Sequence, residues 1–459
     1  MYFHPLKILD EEKRFMDNYI TISSNGQEYI YDSFDNVLRE ISEELSELIR
    51  KKKRNKRYYE LIKKHNIRDV LNGEKLQIVS PITQQENVWK IENKQKHLVL
   101  SLTEKCNMRC EYCGYRNKYD GKHSLTTMSE ETMKKAIIQF INHSKCSEEI
   151  YISFYGGEPL IEKNRIKSAV KYCEQNHFGQ KIRYCITTNG LALNEDFIDF
   201  LVENKFLVII SLDGPQYIHD RYRKDVAGEK TYETIIENIK IIKKKYPLFY
   251  QENIMFNAVM APPHNFDILS DFFGFSKVNM MELKNTDYFE KYLNERDINI
   301  NEYILEHESP MYDIMLTIKE LKKFHIISKD SRHVLAEPCG YCLPFCKRIF
   351  VDSRGRLLVC EKVDETCERY NIGDVDNWIN YEKLAFLLEE TAKMVKSKCC
   401  DCWAIRFCNT CFMNEDEMKK DKMYCNDMRN KIKQEYKKYI ELLQNEPELV
   451  SLFSKFSID

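Results

Sequence analysis

From His97 onward the chain alternates between two patterns. Short apolar runs rich in β-branched and aromatic residues occupy Leu98–Leu102, Ile150–Tyr155, Ile182–Thr187, Leu207–Leu212 and Ile254–Met260, the length and composition of strands. Between them, apolar residues return every three or four positions, which predicts helices over Glu131–His143, Arg165–Gln175, Glu195–Asn204 and Tyr232–Lys245. Strand–helix alternation implies a parallel α/β sheet, with a barrel or partial barrel as its natural closure. Functional residues are then expected at the carboxyl ends of the strands.

The flanking segments read differently. In residues 1–93, Tyr19–Ile22 alternates, Asn25-Gly26 supplies a tight turn and Gln27–Asp32 returns, a hairpin signal. Val37, Leu38, Ile41, Leu45, Leu48 and Ile49 follow at helical spacing. The basic run Arg50–Arg57 reads either as a solvated helix end or as a grip on an acidic peptide. More helix is expected through His65, then a short strand near Leu76–Val79; a small hairpin with helices resembles a winged-helix module. After about residue 330 the regularity fades into a loop-rich, cysteine-dominated region, closed by a helix over Asn426–Gln444.

Composition narrows the classes. At 459 residues and 43% hydrophobic content the chain can form two or three domains with real cores. A net charge of −2 gives no bulk electrostatic case for nucleic acid or anionic membrane. The opening MYFHPLKILDEEKRF lacks an apolar h-region, and the longest apolar stretch, Phe206–Leu212, is too short to span a bilayer. A cytoplasmic protein with no membrane and no nucleic-acid partner is expected. Seventeen cysteines in such a chain point to metal rather than disulfides. Three lie at 106–113 and eleven after residue 338, while Cys146, Cys173 and Cys185 are scattered and read as ordinary buried thiols.

Cys106, Cys110 and Cys113 form CxxxCxxC just after the first barrel strand. Three thiolates hold three irons of a [4Fe–4S] cube, and with no fourth cysteine nearby the last iron is open to an outside ligand. The competing reading is a structural zinc site with a distant fourth ligand. Tyr112 offers an aromatic face beside the cysteines. Gly156-Gly157-Glu158-Pro159 ends the second strand; its glycines permit close backbone approach to a ligand, and its carbonyls and Glu158 suit a cationic amino group; alone it reads as a simple turn, but its place one strand–helix unit after the cysteine loop favours the ligand. Thr188-Asn189 and Ser211-Leu212-Asp213 end the next two strands, with short polar side chains suited to ribose hydroxyls and a carboxylate. Arg223 suits that carboxylate. His219 and Asp220 read equally as a cap for the following helix.

These motifs, in this order, resemble the radical S-adenosylmethionine superfamily, specifically its SPASM-domain branch, over about residues 97–430. The resemblance implies a partial (β/α)6 TIM-like barrel over 94–330, between a winged-helix-like leader-recognition domain at 1–93 and a SPASM domain at 331–459. It implies S-adenosylmethionine chelated to the open iron, its amino group held by Gly156, Gly157 and Glu158, and further contacts from Tyr112, Thr188, Asn189, Ser211, Asp213 and Arg223. One electron from the reduced cluster then yields methionine and a 5′-deoxyadenosyl radical that abstracts hydrogen from the substrate. An external reductant such as flavodoxin or ferredoxin is implied. Two auxiliary [4Fe–4S] clusters are implied as well, making three. One takes Cys360, Cys411 and two of Cys339, Cys342 and Cys346, with Cys342 and Cys346 favoured; the other takes Cys399, Cys402, Cys408 and Cys425. The gap before Cys411 is two residues where the family usually has three, and zinc is the alternative for the whole tail. The implied function is a maturase that crosslinks a ribosomally made precursor peptide through a thioether or a cyclophane-type carbon–carbon bond. Formylglycine formation in a sulfatase, and a non-catalytic iron–sulfur carrier or scaffold, are the alternatives.

Overall fold

The computed structural model describes residues 17–83, 85–113, 124–176, 178–260, 266–273, 278–282, 334–335, 342–346, 348–408, 411–412 and 422–445. They fall into two compact units. One takes in Met1–Gln84, Ile314–Cys342 and Ala385–Asp459; the other takes in Gln85–Asp313 and Leu343–Leu384.

The first unit opens with an antiparallel meander of β1 (Tyr19–Ser24), β2 (Gln27–Asp32) and β3 (Val37–Ile41). Asn25 and Gly26 both take positive φ, as the tight turn requires. The expected helix over Val37–Ile49 is corrected at its start. Val37–Ile41 is a strand, because a turn ending at Asn36 (φ 55°) brings it back onto β2, which supplies its backbone partners. The helix begins only at Glu43, where Ser42 caps the Leu45 amide. It runs to Arg50 and is followed by a second helix, Lys56–Lys64, capped by Asn55. Ile30, Ile41, Leu45, Ile49, Tyr58, Leu61, Ile62 and Val70 form the core between these helices and one face of the meander. The basic run pairs locally: Arg50 with Glu28, Lys51 with Glu47, Arg54 with Asp69 and Arg57 with Glu44, which favours the solvated-helix-end reading. A two-residue strand, β4 (Gln77–Ile78), pairs in parallel with β11 (Val334–Leu335).

The second unit is built on a ten-stranded mixed sheet. Six strands run parallel and in chain order: β5 (His97–Thr103), β6 (Glu149–Gly156), β7 (Lys181–Thr188), β8 (Leu207–Ser211), β9 (Ile254–Met260) and β10 (Val278–Glu282). Helices Glu130–Asn142, Lys163–Asn176, Glu195–Glu203, Tyr232–Lys245 and Phe266–Phe273 alternate with them, and every strand and helix expected over this stretch is present to within a few residues. Beyond β5 the sheet continues through β12 (Arg348–Val351), parallel to β5, and then antiparallel through β13 (Arg356–Leu358), β14 (Asn371–Asp374) and β15 (Trp378–Ile379). The region expected to be loop-rich is therefore partly sheet and also holds the helix Tyr381–Cys399. Strands of two to four residues are too short to show a period, which is why the pattern missed them.

The two faces of the parallel sheet differ. Along β6, Ile150, Ile152 and Phe154 are fully buried, while Tyr151, Ser153 and Tyr155 between them are only half-buried. The register aligns His97, Tyr151 and Arg183 in one row and Val99, Ser153 and Cys185 in the next. His97 Nε2 lies 2.6 Å from Ser153 Oγ. Parallel strands packed on both faces are usually apolar throughout. This face instead carries polar residues that are only half-covered among the described residues.

Candidate functional site

β5 delivers the chain into Glu104-Lys105-Cys106, and three neighbours hold the cysteine loop. The segment 222–226 runs alongside it: Arg109 N donates to Lys224 O (2.7 Å), Glu111 N to Tyr222 O (3.0 Å) and Val226 N to Asn107 O (3.2 Å). The end of β6 grips its start, with Gly157 N on Thr103 O (2.7 Å) and Glu158 N on Lys105 O (2.8 Å). A Cβ on Gly157 would lie 2.3 Å from Lys105 O and 2.6 Å from Glu104 O; one on Gly156, at φ +125°, would lie 2.3 Å from Thr103 O. The glycines thus allow the β6 end to press against the cysteine loop itself. From the end of β7, Asn189 Nδ2 donates to Asn107 Oδ1 (2.7 Å) and stands 3.9 Å from Cys106 Sγ, which also accepts from Met108 N at 3.4 Å.

Glu158 is fully buried and its carboxylate is engaged by protein donors: Thr188 Oγ1 (2.7 Å) and Leu160 N (2.9 Å) on Oε1, Asn189 N (2.7 Å) on Oε2. Burial pushes its pKa up, against the pull of those donors. In the structure it joins the ends of β6 and β7. Glu158→Gln turns an acceptor into a donor facing one of these N–H or O–H groups. The expected cost is about 1–3 kcal/mol, read as a lower denaturant midpoint in urea unfolding.

A second buried group backs Cys110. Tyr112 Oη donates to Asp213 Oδ2, and Arg223 Nη1 donates to Tyr112 Oη (2.8 Å) and lies 3.8 Å from Asp213 Oδ1. Asp213 also accepts from Val259 N (3.0 Å). Arg223 Nε is buried without a hydrogen-bond partner among the described residues. Ser211 stands half-buried at the end of β8. The capping reading holds for Asp220, whose Oδ1 accepts from Thr231 N (3.0 Å) and Tyr232 N (2.9 Å) at the head of helix Tyr232–Lys245. His219 is a core residue between Asp213 N and Thr231 Oγ1, and burial pushes its pKa down to about 3.

The three thiols share one electrostatic neighbourhood. Burial pushes Cys106 up to about 12, with Glu158, Cys110 and Cys113 adding to the rise. Burial likewise pushes Cys110 up to about 11, with Arg223 opposing it. Thiols held this way keep their protons at neutral pH unless a metal takes their place. Among the described residues no three His, Cys, Asp or Glu side chains are grouped to hold a single metal ion; the three thiols of a cube each hold a different iron and need not converge on one point.

Residues 100–273 match the family model of the Radical SAM superfamily. This chain carries a radical SAM domain. It is similar to the serine-type anaerobic sulfatase-maturating enzyme of Bacteroides thetaiotaomicron, 32% identical over 38% of this chain and 41% of that protein. It is similar as well to the radical SAM cyclopropyl synthase TigE of Paramaledivibacter caminithermalis, 28% identical over 36% of this chain and 35% of that protein. The chain thus spans about two fifths of the length of the curated relatives it matches. The solved structure of anSMEcpe with bound AdoMet superposes with a TM-score of 0.56 at 20% identity, covering 79% of this chain and 96% of that one, and so shares its fold.

The residues of the radical SAM domain fit the cofactors that such a domain implies. Cys106, Cys110 and Cys113 lie near one another with no fourth thiol beside them among the described residues, and Arg223 Nε, without a hydrogen-bond partner among those residues, lies buried near Cys110. Sequence reasoning missed Glu104, which is fully buried between Ser353 Oγ (2.7 Å) and Arg354 (2.6 Å) and anchors the loop's entry. It also missed Asn107, although a polar residue inside the cysteine motif was a usable signal.

The tail cysteines divide between the units. Cys346 and Cys360 belong to the second unit, where Lys362 N donates to Cys360 Sγ (3.3 Å). Cys342 and Cys411 belong to the first, and Cys339 lies outside the described residues. In the first unit, burial raises the Cys399 pKa, and Cys402, Cys408 and Cys425 add to the rise.

Proposed function

We propose that this protein is a SPASM-type radical SAM maturase. It would act on a ribosomally made precursor peptide and install an intramolecular crosslink, either a thioether or a cyclophane-type carbon–carbon bond. The observation that carries the chemistry is the three-thiol loop at the end of β5, backed by Tyr112, Asp213 and Arg223. When bound there, a [4Fe–4S] cluster with S-adenosylmethionine supplies a carbon radical able to take hydrogen from an unactivated position. Cys106, Cys110 and Cys113 would hold the cluster. The carbonyls of Gly156 and Gly157 would face the methionyl amino group, and Arg223 Nε and Ser211 would face the rest of the cofactor. Thr188, Asn189 and Glu158 would position these groups, and the polar face of the sheet would receive the peptide.

Two further observations support a peptide substrate and auxiliary clusters. The meander β1–β3 with its two helices has the size and make-up of a peptide-recognition element. The Cys399–Cys402–Cys408–Cys425 quartet would hold an auxiliary cluster that takes an electron or the substrate sulfur. A flavodoxin or ferredoxin would deliver the starting electron. The similarity to sulfatase-maturating enzymes favours a second reading, formylglycine formation, to the same degree. Among the described residues no helix is long and apolar enough to cross a membrane.

The test is anaerobic reduction with dithionite in the presence of S-adenosylmethionine, together with co-expression alongside candidate short cysteine-containing peptides. Release of 5′-deoxyadenosine is expected, together with a peptide lighter by two hydrogens; loss of an alkylatable thiol would mark a thioether, and its retention a carbon–carbon bond. Absence of 5′-deoxyadenosine from iron-loaded protein would refute the chemistry. An aldehyde in place of a crosslink would select formylglycine formation.

A further inference from the structure

The loop between Cys402 and Cys408 poses a physical problem. Its five residues, Trp403, Ala404, Ile405, Arg406 and Phe407, are all buried, at 4% exposure or less. Yet the loop is neither helix nor strand; its backbone bonds are local turns such as Cys402 N to Cys399 O (3.0 Å) and Phe407 N to Ala404 O (2.9 Å). A buried segment without regular structure needs cross-links to hold its shape, and the cysteines that bracket it belong to the four-thiol set. Arg429, one turn beyond Cys425 on the helix Lys422–Asn445, lies with Nη1 4.0 Å from Cys402 Sγ.

This loop and that helix are the floor of the β1–β3 sheet. Ile22 and Tyr31 share a core with Trp403, Ala404, Phe407, Ile432, Tyr436, Tyr439 and Ile440, and Cys402 and Cys408 pack against the same core. The Tyr31 ring centroid lies 5.4 Å from that of Phe407 and 5.0 Å from that of Tyr436. Arg406 Nε donates to Ser33 O (2.7 Å) and Nη2 to Phe34 O (3.2 Å), fastening the turn between β2 and β3. At the far end of the helix, Gln444 Nε2 donates to Tyr29 Oη (2.8 Å), and Gln444 Oε1 accepts from Asn25 Nδ2 (3.0 Å) in the β1–β2 turn. Side chains alternate across a strand: Ile30 packs on the two N-terminal helices, while Tyr29 and Tyr31 pack on the thiol-bearing floor.

We infer that the Cys399–Cys402–Cys408–Cys425 site is the anchor of the β1–β3 sheet, so that metal occupancy there governs whether the peptide-recognition surface is formed. The inference deepens the peptide-maturase reading, and its recognition half rests on it. Cluster binding by thiols drawn from separate elements of the folded chain is itself folding energy. Emptying the site removes the cross-link from the floor and leaves the sheet held by one face. Oxygen damage or iron shortage at the C-terminal site would then stop substrate capture at a separate step from the radical chemistry.

Hydrogen exchange on the full chain tests this without any ligand. Iron-loaded protein is compared with protein stripped by chelation, with Cys402→Ala/Cys408→Ala, and with Cys106→Ala/Cys110→Ala/Cys113→Ala, which leaves the C-terminal quartet intact. A site held at 100 times its dissociation constant lowers opening by about 100-fold. Amides of 19–41 are therefore expected to exchange about that much faster in the stripped and Cys402/Cys408 proteins, and unchanged in the Cys106/Cys110/Cys113 protein. Equal exchange with and without iron would overturn the inference, as would equal loosening in the Cys106/Cys110/Cys113 variant. In parallel, anisotropy of a fluorescent synthetic copy of the peptide that is modified on co-expression is expected to show affinity that falls with iron at the quartet. Arg406→Gln should weaken peptide binding while iron content stays unchanged. A sheet that loosens on iron loss in a loaded protein that binds no such peptide would uphold the anchor and reject the peptide reading. Peptide binding indifferent to iron would reject the gating.

Discussion

Changing Cys106, Cys110 and Cys113 together to alanine is expected to abolish cleavage of S-adenosylmethionine, by on the order of 10³-fold or more, while iron at the C-terminal quartet remains. The three thiols are the groups of the β5 loop able to hold iron, and Cys110 and Cys113 lie close enough to Cys106 to add to the rise of its pKa. Cleavage needs an electron delivered directly onto the sulfonium, so no remote cluster substitutes for the local one. Iron analysis should show a loss of about four irons per chain, the content of one cube. Chromatography should show 5′-deoxyadenosine at the level of reagent alone. Retention of both iron and product would remove the basis of the assignment. The surrounding fold should persist, because the loop is also tied by backbone bonds to the segment 222–226 that need no metal.

The second large effect comes from a single methyl group. Gly157→Ala would place a Cβ 2.3 Å from Lys105 O and 2.6 Å from Glu104 O, and both obstacles are backbone. Neither can rotate away, so the cysteine loop or the end of β6 must shift. Overpacking of this kind costs about 1–3 kcal/mol. The functional loss should exceed the stability loss, since a displacement of about 1 Å in a catalytic constellation lowers rates by roughly 10²-fold. We expect 5′-deoxyadenosine formation to fall by about that factor, with reduced iron at the loop, while the unfolding midpoint shifts modestly. Gly179→Ala, with nothing within 4 Å of its Cβ and no positive φ, is the matched control and should leave both unchanged.

Much of the site was legible in the order of residues along the chain. CxxxCxxC after a strand, two glycines and a glutamate at the end of the next strand, and short polar residues at the two after that lie in sequence order because parallel strands in chain order put their carboxyl ends side by side. What the pattern misassigned has a local cause. Val37, Leu38 and Ile41 fit a helical period, but their separation fits a strand as well, and only the turn at Asn36 and pairing with β2 decide between them. The strands β12 to β15 are shorter than any period that could announce them.

The tasks of individual polar residues were not legible, because they depend on neighbours far away in the chain. Glu158 suits a cationic ligand by chemistry, yet in the fold it binds the end of β7 through Thr188 and Asn189. Glu104 meets Arg354, 250 residues on. Arg406 fastens a turn more than 370 residues before it. The chain by itself determined the parallel α/β core and the set of cysteines, because periodicity and ligand spacing are local properties. Only the tertiary structure decided which partners each buried charge takes and which sheet rests on the loop between Cys402 and Cys408. A buried polar group must be satisfied by whatever the fold brings to it, and contacts over hundreds of residues leave no periodic trace in the sequence.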